Sequence, residues 1–146
     1  MFSGATLRLR LTGDELRFRD ELRQWLKDTL PGLRPKPAAD DWVARREFDT
    51  QWQRHLFDAG YAGIAWSKAY GERGATASEE LIFLEETEAA GAPYVGCNFV
   101  DTLHAGPTIL SEGSAEQAST HLVPILKGEH DRFSLVPGLR RERQHF

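Results

Sequence analysis

The side chains with the most evident chemical potential are histidines and glutamates. The five histidines are scattered along the chain: His55, His104, His121, His130 and His145. None belongs to an HExxH motif or to an i,i+4 pair with carboxylates, so the sequence assigns no metal site. His104 lies among apolar residues of a predicted helix. That setting favours a hydrogen-bonded histidine in the core or in a groove over a catalytic one.

Glutamates crowd a second predicted helix: Glu79, Glu80, Glu85, Glu86 and Glu88. Two carboxylates can perform acid–base chemistry when burial separates their pKa values. The simpler interpretation is that Glu85, Glu86 and Glu88 form a solvated face. The serines lack the context of a nucleophile elbow, and the glycines match no phosphate-binding loop. The residues taken alone therefore assign no catalytic group.

Composition narrows the class of protein. A chain of 146 residues with 40% hydrophobic and 27% charged residues is typical of one soluble globular domain. A net charge of −4 gives no overall attraction to nucleic acid or anionic membranes. No apolar run approaches the roughly 20 residues of a membrane helix, so membrane insertion is not expected. The single cysteine, Cys97, fits a reducing compartment, and we expect a cytoplasmic location.

Helix signals recur along the chain and predict an all-α fold of about five helices. Three capping boxes mark helix starts: Thr12 with Glu15, Thr76 with Glu79, and Ser114 with Gln117. Another helix is predicted to begin within Asp41–Glu47 and end at Gly60, and a further one to run from Val100 to Gly113. Pro124 is expected to kink the last helix or end it early. A period-2 pattern appears only at Leu7–Leu11.

The apolar residues predict how these helices pack. The segment Tyr61–Trp66 is apolar but short, which indicates a buried connector, and Ser67–Gly74 is expected to be a loop rich in turns. The helix after Thr76 is apolar nearly all round and is expected to be central. The predicted centre of the core consists of Trp25, Phe48, Trp52, Phe83 and Leu84.

One motif is more specific than any of these patterns. A helix ending at Gly60 leads into Trp66, Tyr70, Gly71 and Gly74, which match the phrase W-P-x-x-Y-G-G-x-G. Ser67 replaces the usual proline and Glu72 the usual second glycine. Later segments, Gly106–Leu110, Gly113–Gln117 and Leu122–Glu129, follow in order. From about Leu11 to Glu129 the chain resembles the amino-terminal helical domain of the acyl-CoA dehydrogenases.

The resemblance implies an all-α, amino-terminal helical-bundle domain over residues 1–129, followed by an irregular, disordered tail over 130–146. It implies a flavoprotein that uses FAD to dehydrogenate an acyl-CoA thioester. In that family the flavin takes the β-hydride while a glutamate of a later domain removes the α-proton. It therefore implies no catalytic residue in this chain and leaves the FAD-binding residues unknown.

The family's acyl-pocket wall maps to four positions of this chain: Val100, Leu103, His104 and Pro107. A polar His104 there would suit a ring-bearing or oxygenated acyl chain, as in the members that act on steroid-derived esters. The alternative is that the four residues simply pack the core.

Two classes of function stay open at this stage. The first is an FAD-dependent acyl-CoA dehydrogenase, of which this chain is one part and inactive alone. The second is a non-catalytic helical module of a heteromeric dehydrogenase. Both imply a homo- or hetero-oligomer. The family's Ser/Thr-Glu-Pro-Gly-x-Gly-Ser-Asp loop does not follow Glu129, so we expect either a truncated chain with an altered reading frame or a natural short product.

Overall fold

A computed structural model describes residues 10–70, 73–94, 98 and 100–129. These residues form five α-helices and no strand, which confirms the all-α prediction over this part of the chain. The helices are α1 (Gly13–Thr29), α2 (Trp42–Asp58), α3 (Ala77–Ala89), α4 (Gly106–Glu112) and α5 (Ala115–Leu126). The predicted tail and most of the period-2 pattern at Leu7–Leu11 lie outside the described residues.

All three predicted capping boxes are present. At α1 the Thr12 hydroxyl accepts a hydrogen bond from the Glu15 backbone N–H at 3.3 Å, and a Glu15 carboxylate oxygen accepts one from the Thr12 N–H at 2.7 Å. These bonds satisfy donors that the first helical turn leaves unpaired. The bond from the Thr12 N–H favours the ionised carboxyl group, so it lowers the pKa of Glu15.

Capping residues and glycines in the sequence also mark where helices begin and end. Asp41 caps α2, because its side chain accepts from the Ala44 N–H at 3.0 Å. Gly60 and Gly91 follow α2 and α3 with φ of +75° and +66°, a conformation that glycine adopts without steric cost. Pro124 lies inside α5, which ends two residues later at Leu126.

The predicted fourth helix is not α-helical at its start. Residues Asp101–Ala105 form a π-helical turn, and α4 begins only at Gly106. Pro107 has no N–H, so it cannot donate to the carbonyl of Leu103 as an α-helix requires. The Gly106 N–H instead donates to the carbonyl of Asp101, five residues back, which is the π-helical pattern.

Contacts divide the chain into two compact units. The first combines residues 10–33 with Ala75–Ala92 among the described residues, and in it α1 packs on α3. Arg23 of α1 forms a two-pronged ion pair with Glu86 of α3, at 2.6 and 2.7 Å. This bond raises the pKa of Arg23. Glu86 was expected on a solvated face, but its side chain is only 14% exposed, so that prediction is wrong for this glutamate.

The second unit combines the described residues of 34–74 and of 93–129. Its core cluster consists of Trp66, Ala118, Leu122, Ile125 and Leu126. Tyr61 and Ile64 are buried as well, which confirms the predicted buried connector. Gln53 of α2 is also buried, and its amide donates to the Leu126 carbonyl at the end of α5 at 2.8 Å.

The predicted core is partly wrong. Trp52 is buried as expected, whereas Trp25, Phe48 and Phe83 are only half-buried. Leu84 is 50% exposed, and α3 buries Ile82 alone, so α3 is not central in this chain. Residue 84 lies about 200° round the helix from Ile82, which places it away from the buried side.

No helix among the described residues is both long and apolar enough to cross a bilayer.

Candidate functional site

The predicted acyl-pocket wall lies on the π-helical turn and the start of α4. Val100 precedes the turn, Leu103 and His104 belong to it, and Pro107 is the second residue of α4. Two residues between them, Asp101 and Thr102, are buried at 3% and 5% exposure. Asp101 and Thr102 are therefore the residues of the turn that face the protein interior.

Hydrogen bonds connect this turn to the rest of its unit. The Thr102 hydroxyl donates to the Asn98 carbonyl at 2.9 Å. The Asn98 side-chain amide in turn donates to the Asp49 carbonyl of α2 at 3.3 Å. On the other side of the turn, the Thr108 hydroxyl donates to the His104 carbonyl at 2.8 Å. The backbone beneath the predicted wall is therefore attached to α2 and α4.

The four predicted residues face outward to different degrees. Leu103 is 48% exposed, His104 and Pro107 are exposed, and Val100 is half-buried. His104 was interpreted as a histidine of the core or of a groove. The core position is wrong, because His104 is exposed while the turn buries Asp101 and Thr102. The alternative that all four pack the core is wrong for Leu103, His104 and Pro107. Their assignment to an acyl pocket stays a prediction.

The glutamates of α3 do not form a catalytic pair. Glu79 accepts from the Thr76 N–H at 2.8 Å in the capping box, and Glu86 is paired with Arg23. Glu80, Glu85 and Glu88 are exposed, as a solvated face requires. Two of the five carboxylates thus have structural roles at a helix start and at a helix–helix contact.

A groove lined by arginines was not predicted from the sequence. It has a volume of about 410 Å³ and lies in the second unit, beside α2. Its lining residues are Arg34, Arg46, Glu47, Thr50, Gln51 and Arg54. The available signal was the i,i+4,i+8 spacing of Arg46, Thr50 and Arg54, which places them on one side of a helix.

A second groove, of about 500 Å³, lies in the first unit. It is lined by Arg10, Leu11, Glu15, Ala77, Ser78, Leu81, Ile82 and Glu85. Neither groove fits FAD. In this one the carboxylates of Glu15 and Glu85 outnumber the guanidinium group of Arg10 and would repel the diphosphate of FAD, and every residue that lines the arginine groove is charged or polar.

Metal-binding side chains do not cluster within the described ranges. No group of three or more His, Cys, Asp or Glu residues there could hold a metal ion.

Comparison with known proteins defines the class to which this helical fold belongs. Residues 12–129 match the family model of the acyl-CoA dehydrogenase N-terminal domain. The chain is 34% identical over 113 residues to the acyl-CoA dehydrogenase IpdE1 of Mycolicibacterium smegmatis, covering 75% of this chain and 29% of that protein. It is 36% identical over 70 residues to the acyl-CoA dehydrogenase FadE26 of Mycobacterium tuberculosis, covering 48% and 17%.

Solved structures show the same likeness. The ChsE4–ChsE5 complex from Mycobacterium tuberculosis matches 84% of this chain with a TM-score of 0.60 and 30% identity. The Tcur3481–Tcur3483 steroid ACAD matches 82% with a TM-score of 0.60 and 27% identity. This chain covers 30% of each of those matched chains.

The chain therefore belongs to the acyl-CoA dehydrogenase family and contains the family's amino-terminal helical domain. It spans less than a third of the length of the relatives that it matches.

Proposed function

We propose that this chain is the amino-terminal domain of an FAD-dependent acyl-CoA dehydrogenase and works in an assembly with other domains or subunits. The match over residues 12–129 carries this proposal. Relatives named acyl-CoA dehydrogenases support it, and so do neighbours solved as complexes. Neither of the two grooves among the described residues fits FAD, so in this proposal the assembly supplies the flavin site. It must also supply the carboxylate base.

The contribution of this chain is one wall of the acyl pocket. Leu103 and Pro107 offer exposed apolar surface, and His104 between them offers an imidazole that can donate or accept a hydrogen bond. Exposed apolar surface with a few polar groups is the usual lining of a small-molecule site. Hydrogen bonds to α2 and α4 fix the backbone beneath these residues, so the wall is preformed.

A bulky, ring-bearing acyl group with an oxygen function is the substrate class that this wall fits best. A hydrogen-bonding group in an otherwise apolar wall favours a ligand that can form the hydrogen bond over an analogue that cannot. One of the similar solved structures is titled a steroid ACAD, which supports this class.

Purification of the 146-residue chain tests whether FAD binding and turnover require other domains or subunits. Alone, it should be colourless and inert with acyl-CoA esters and an artificial electron acceptor. Stoichiometric bound FAD, or turnover by the chain alone, would contradict the proposal. Activity should appear when a longer dehydrogenase subunit that binds FAD is supplied.

The reconstituted enzyme then tests the wall. His104→Ala should lower kcat/KM for ring-bearing, oxygenated esters relative to straight-chain esters, by about tenfold for one lost hydrogen bond. His55→Ala, on α2, is the matched control and should leave this ratio unchanged. An equal loss on both substrate types would contradict the wall assignment while leaving the enzyme class intact.

A non-catalytic assembly module is the second candidate function. Large apolar side chains favour it, because Trp42, Val43 and Tyr94 are 67%, 73% and 69% exposed. Such residues commonly become buried in protein interfaces. For this function, a stable complex with a longer subunit should form, and His104→Ala should leave the substrate preference of the complex unchanged.

A further inference from the structure

We propose that the arginine groove beside α2 binds a small ligand with a diphosphate group. Three guanidinium groups line the groove, from Arg34, Arg46 and Arg54, against the one carboxylate of Glu47. The lining therefore carries a net charge of +2 (three positive groups minus one negative group) in a chain whose net charge is −4. An anionic ligand is the partner that this local charge favours.

Two arginines of this groove, Arg34 and Arg54, differ from others of the chain in their contacts. Arg17, Arg19 and Arg23 each form an ion pair. Arg45 and Arg73 lie over the rings of Trp42 and Tyr61. Within the part of the chain that the structure describes, neither Arg34 nor Arg54 forms an ion pair or a ring contact. Their charges are available to a ligand.

The number of cationic and donor groups favours a diphosphate over a single phosphate. Arg46 and Arg54 are eight residues apart on α2, which is about 12 Å along the helix axis. Thr50 lies midway and adds a hydroxyl donor. A planar guanidinium group binds phosphate oxygens in pairs. A ligand with two phosphate groups can engage more of this set at once than a ligand with one.

Titration of the 146-residue chain with three probes tests the ligand class: ADP, pyrophosphate and inorganic phosphate. Isothermal calorimetry at low salt should show saturable binding of ADP and pyrophosphate, at least about tenfold tighter than inorganic phosphate. If ADP and pyrophosphate bind with equal affinity, the groove contacts only the diphosphate group of its ligand. If ADP binds more tightly than pyrophosphate, the groove also contacts the nucleoside. Both results support the proposal. Equal affinity for inorganic phosphate, or no saturable binding of any probe, would overturn it.

Charge-neutralising variants locate the site. Arg34→Gln combined with Arg54→Gln should weaken diphosphate binding by roughly a hundredfold, or about tenfold for each lost guanidinium group. Arg45→Gln is the matched control, since Arg45 is on the same helix next to Arg46 but does not line the groove. It should leave the affinity within about twofold. Equal losses in both variants would overturn the location, and circular dichroism confirms that each variant is folded.

An acidic peptide tests the alternative that the groove binds an acidic protein surface. A short polyglutamate peptide that competes with ADP at lower concentration than pyrophosphate does would show an acidic protein surface as the ligand and overturn the proposal. Weaker competition by the peptide supports the diphosphate, because carboxylates carry less charge per group than phosphates.

Discussion

The indole ring of Trp66 lies directly against the backbone of Gly106. A Cβ atom at position 106 would overlap ring atoms Cζ2 and Cη2 of Trp66 and would lie 3.1 Å from the Asp101 carbonyl oxygen. Trp66 is 8% exposed and belongs to the core cluster of its unit. Gly106 closes the π-helical turn through its N–H bond to Asp101. The tryptophan of the family motif therefore contacts the segment that holds the predicted pocket wall.

Gly106→Ala should lower the free energy of unfolding by about 1–3 kcal/mol, because the added methyl group overpacks a well-filled core. Gly32→Ala is the control, since a Cβ there would meet no atom within 4 Å. The control should change stability by no more than about 0.5 kcal/mol. Urea denaturation followed by tryptophan fluorescence measures both values. Equal stability of Gly106→Ala and the unsubstituted chain would contradict the contact.

The buried amide of Gln53 provides a second prediction. It donates to the Leu126 carbonyl at 2.8 Å, and Gln53 is 1% exposed. Carbonyl groups in the last turn of a helix lack partners within the helix. Gln53→Ala should therefore destabilise the chain by about 1–3 kcal/mol through the unpaired carbonyl, with a further loss from the cavity.

Gln24→Ala is the matched control for Gln53→Ala. Gln24 is exposed on α1, and its amide donates to the Asp28 carboxylate at 2.9 Å, four residues along the helix. Such a surface pair contributes only about 0.2–0.5 kcal/mol. Chemical denaturation should therefore separate the two variants clearly. Similar losses in both would argue against a buried Gln53 bond.

Local sequence signals predicted the helices well. Capping boxes depend on two residues three positions apart, so Thr12 with Glu15, or Thr76 with Glu79, indicates a helix start without knowledge of the rest of the fold. The positive φ at Gly60 likewise follows from a glycine after an apolar stripe. The π-helical turn was missed, although Pro107 carried the signal for it.

Packing was predicted less well, because it depends on which surfaces meet. Leu84 is as apolar as Leu22, yet it is 50% exposed while Leu22 is fully buried. Buried polar residues such as Gln53 have no local signature, since their partners are distant in sequence. The arginine groove was missed for the same reason: Arg34 belongs to a loop and joins Arg46 and Arg54 only in the folded unit.

The difference between Trp52 and Leu84 is a third testable point. Trp52 is 2% exposed in the second unit, whereas Leu84 is 50% exposed on α3. Trp52→Ala should cost roughly 3–5 kcal/mol, a large share of the stability of a typical domain, about 5–15 kcal/mol. Leu84→Ala should cost less than about 1 kcal/mol, because Leu84 is already half exposed to water. Thermal unfolding of both variants measures the contrast, and a large loss for Leu84→Ala would show that α3 is covered by another copy or segment.

The capping box of α1 makes stability depend on pH. Hydrogen bonds from Thr12 hold the pKa of Glu15 below its ordinary value in the folded chain. A lowered folded-state pKa adds stability that is fully present above the unfolded pKa, about 4.3, and is lost as the pH falls through the folded pKa. Glu15→Gln keeps an oxygen acceptor for the cap but cannot ionise. The unfolding free energies of the unsubstituted chain and Glu15→Gln should therefore differ most near pH 7 and converge as the pH falls to about 3.

The matched control for this pH dependence is Glu112→Gln, an exposed carboxylate at the end of α4. A carboxylate at a helix C-terminus meets the negative end of the helix dipole and gains no capping bond from it. Its replacement should therefore not cause the loss of stability near pH 7 that is expected for Glu15→Gln. Urea denaturation at intervals from pH 7 to about pH 3 provides the comparison. A constant difference between Glu15→Gln and the unsubstituted chain across this range would show that ionised Glu15 does not stabilise α1.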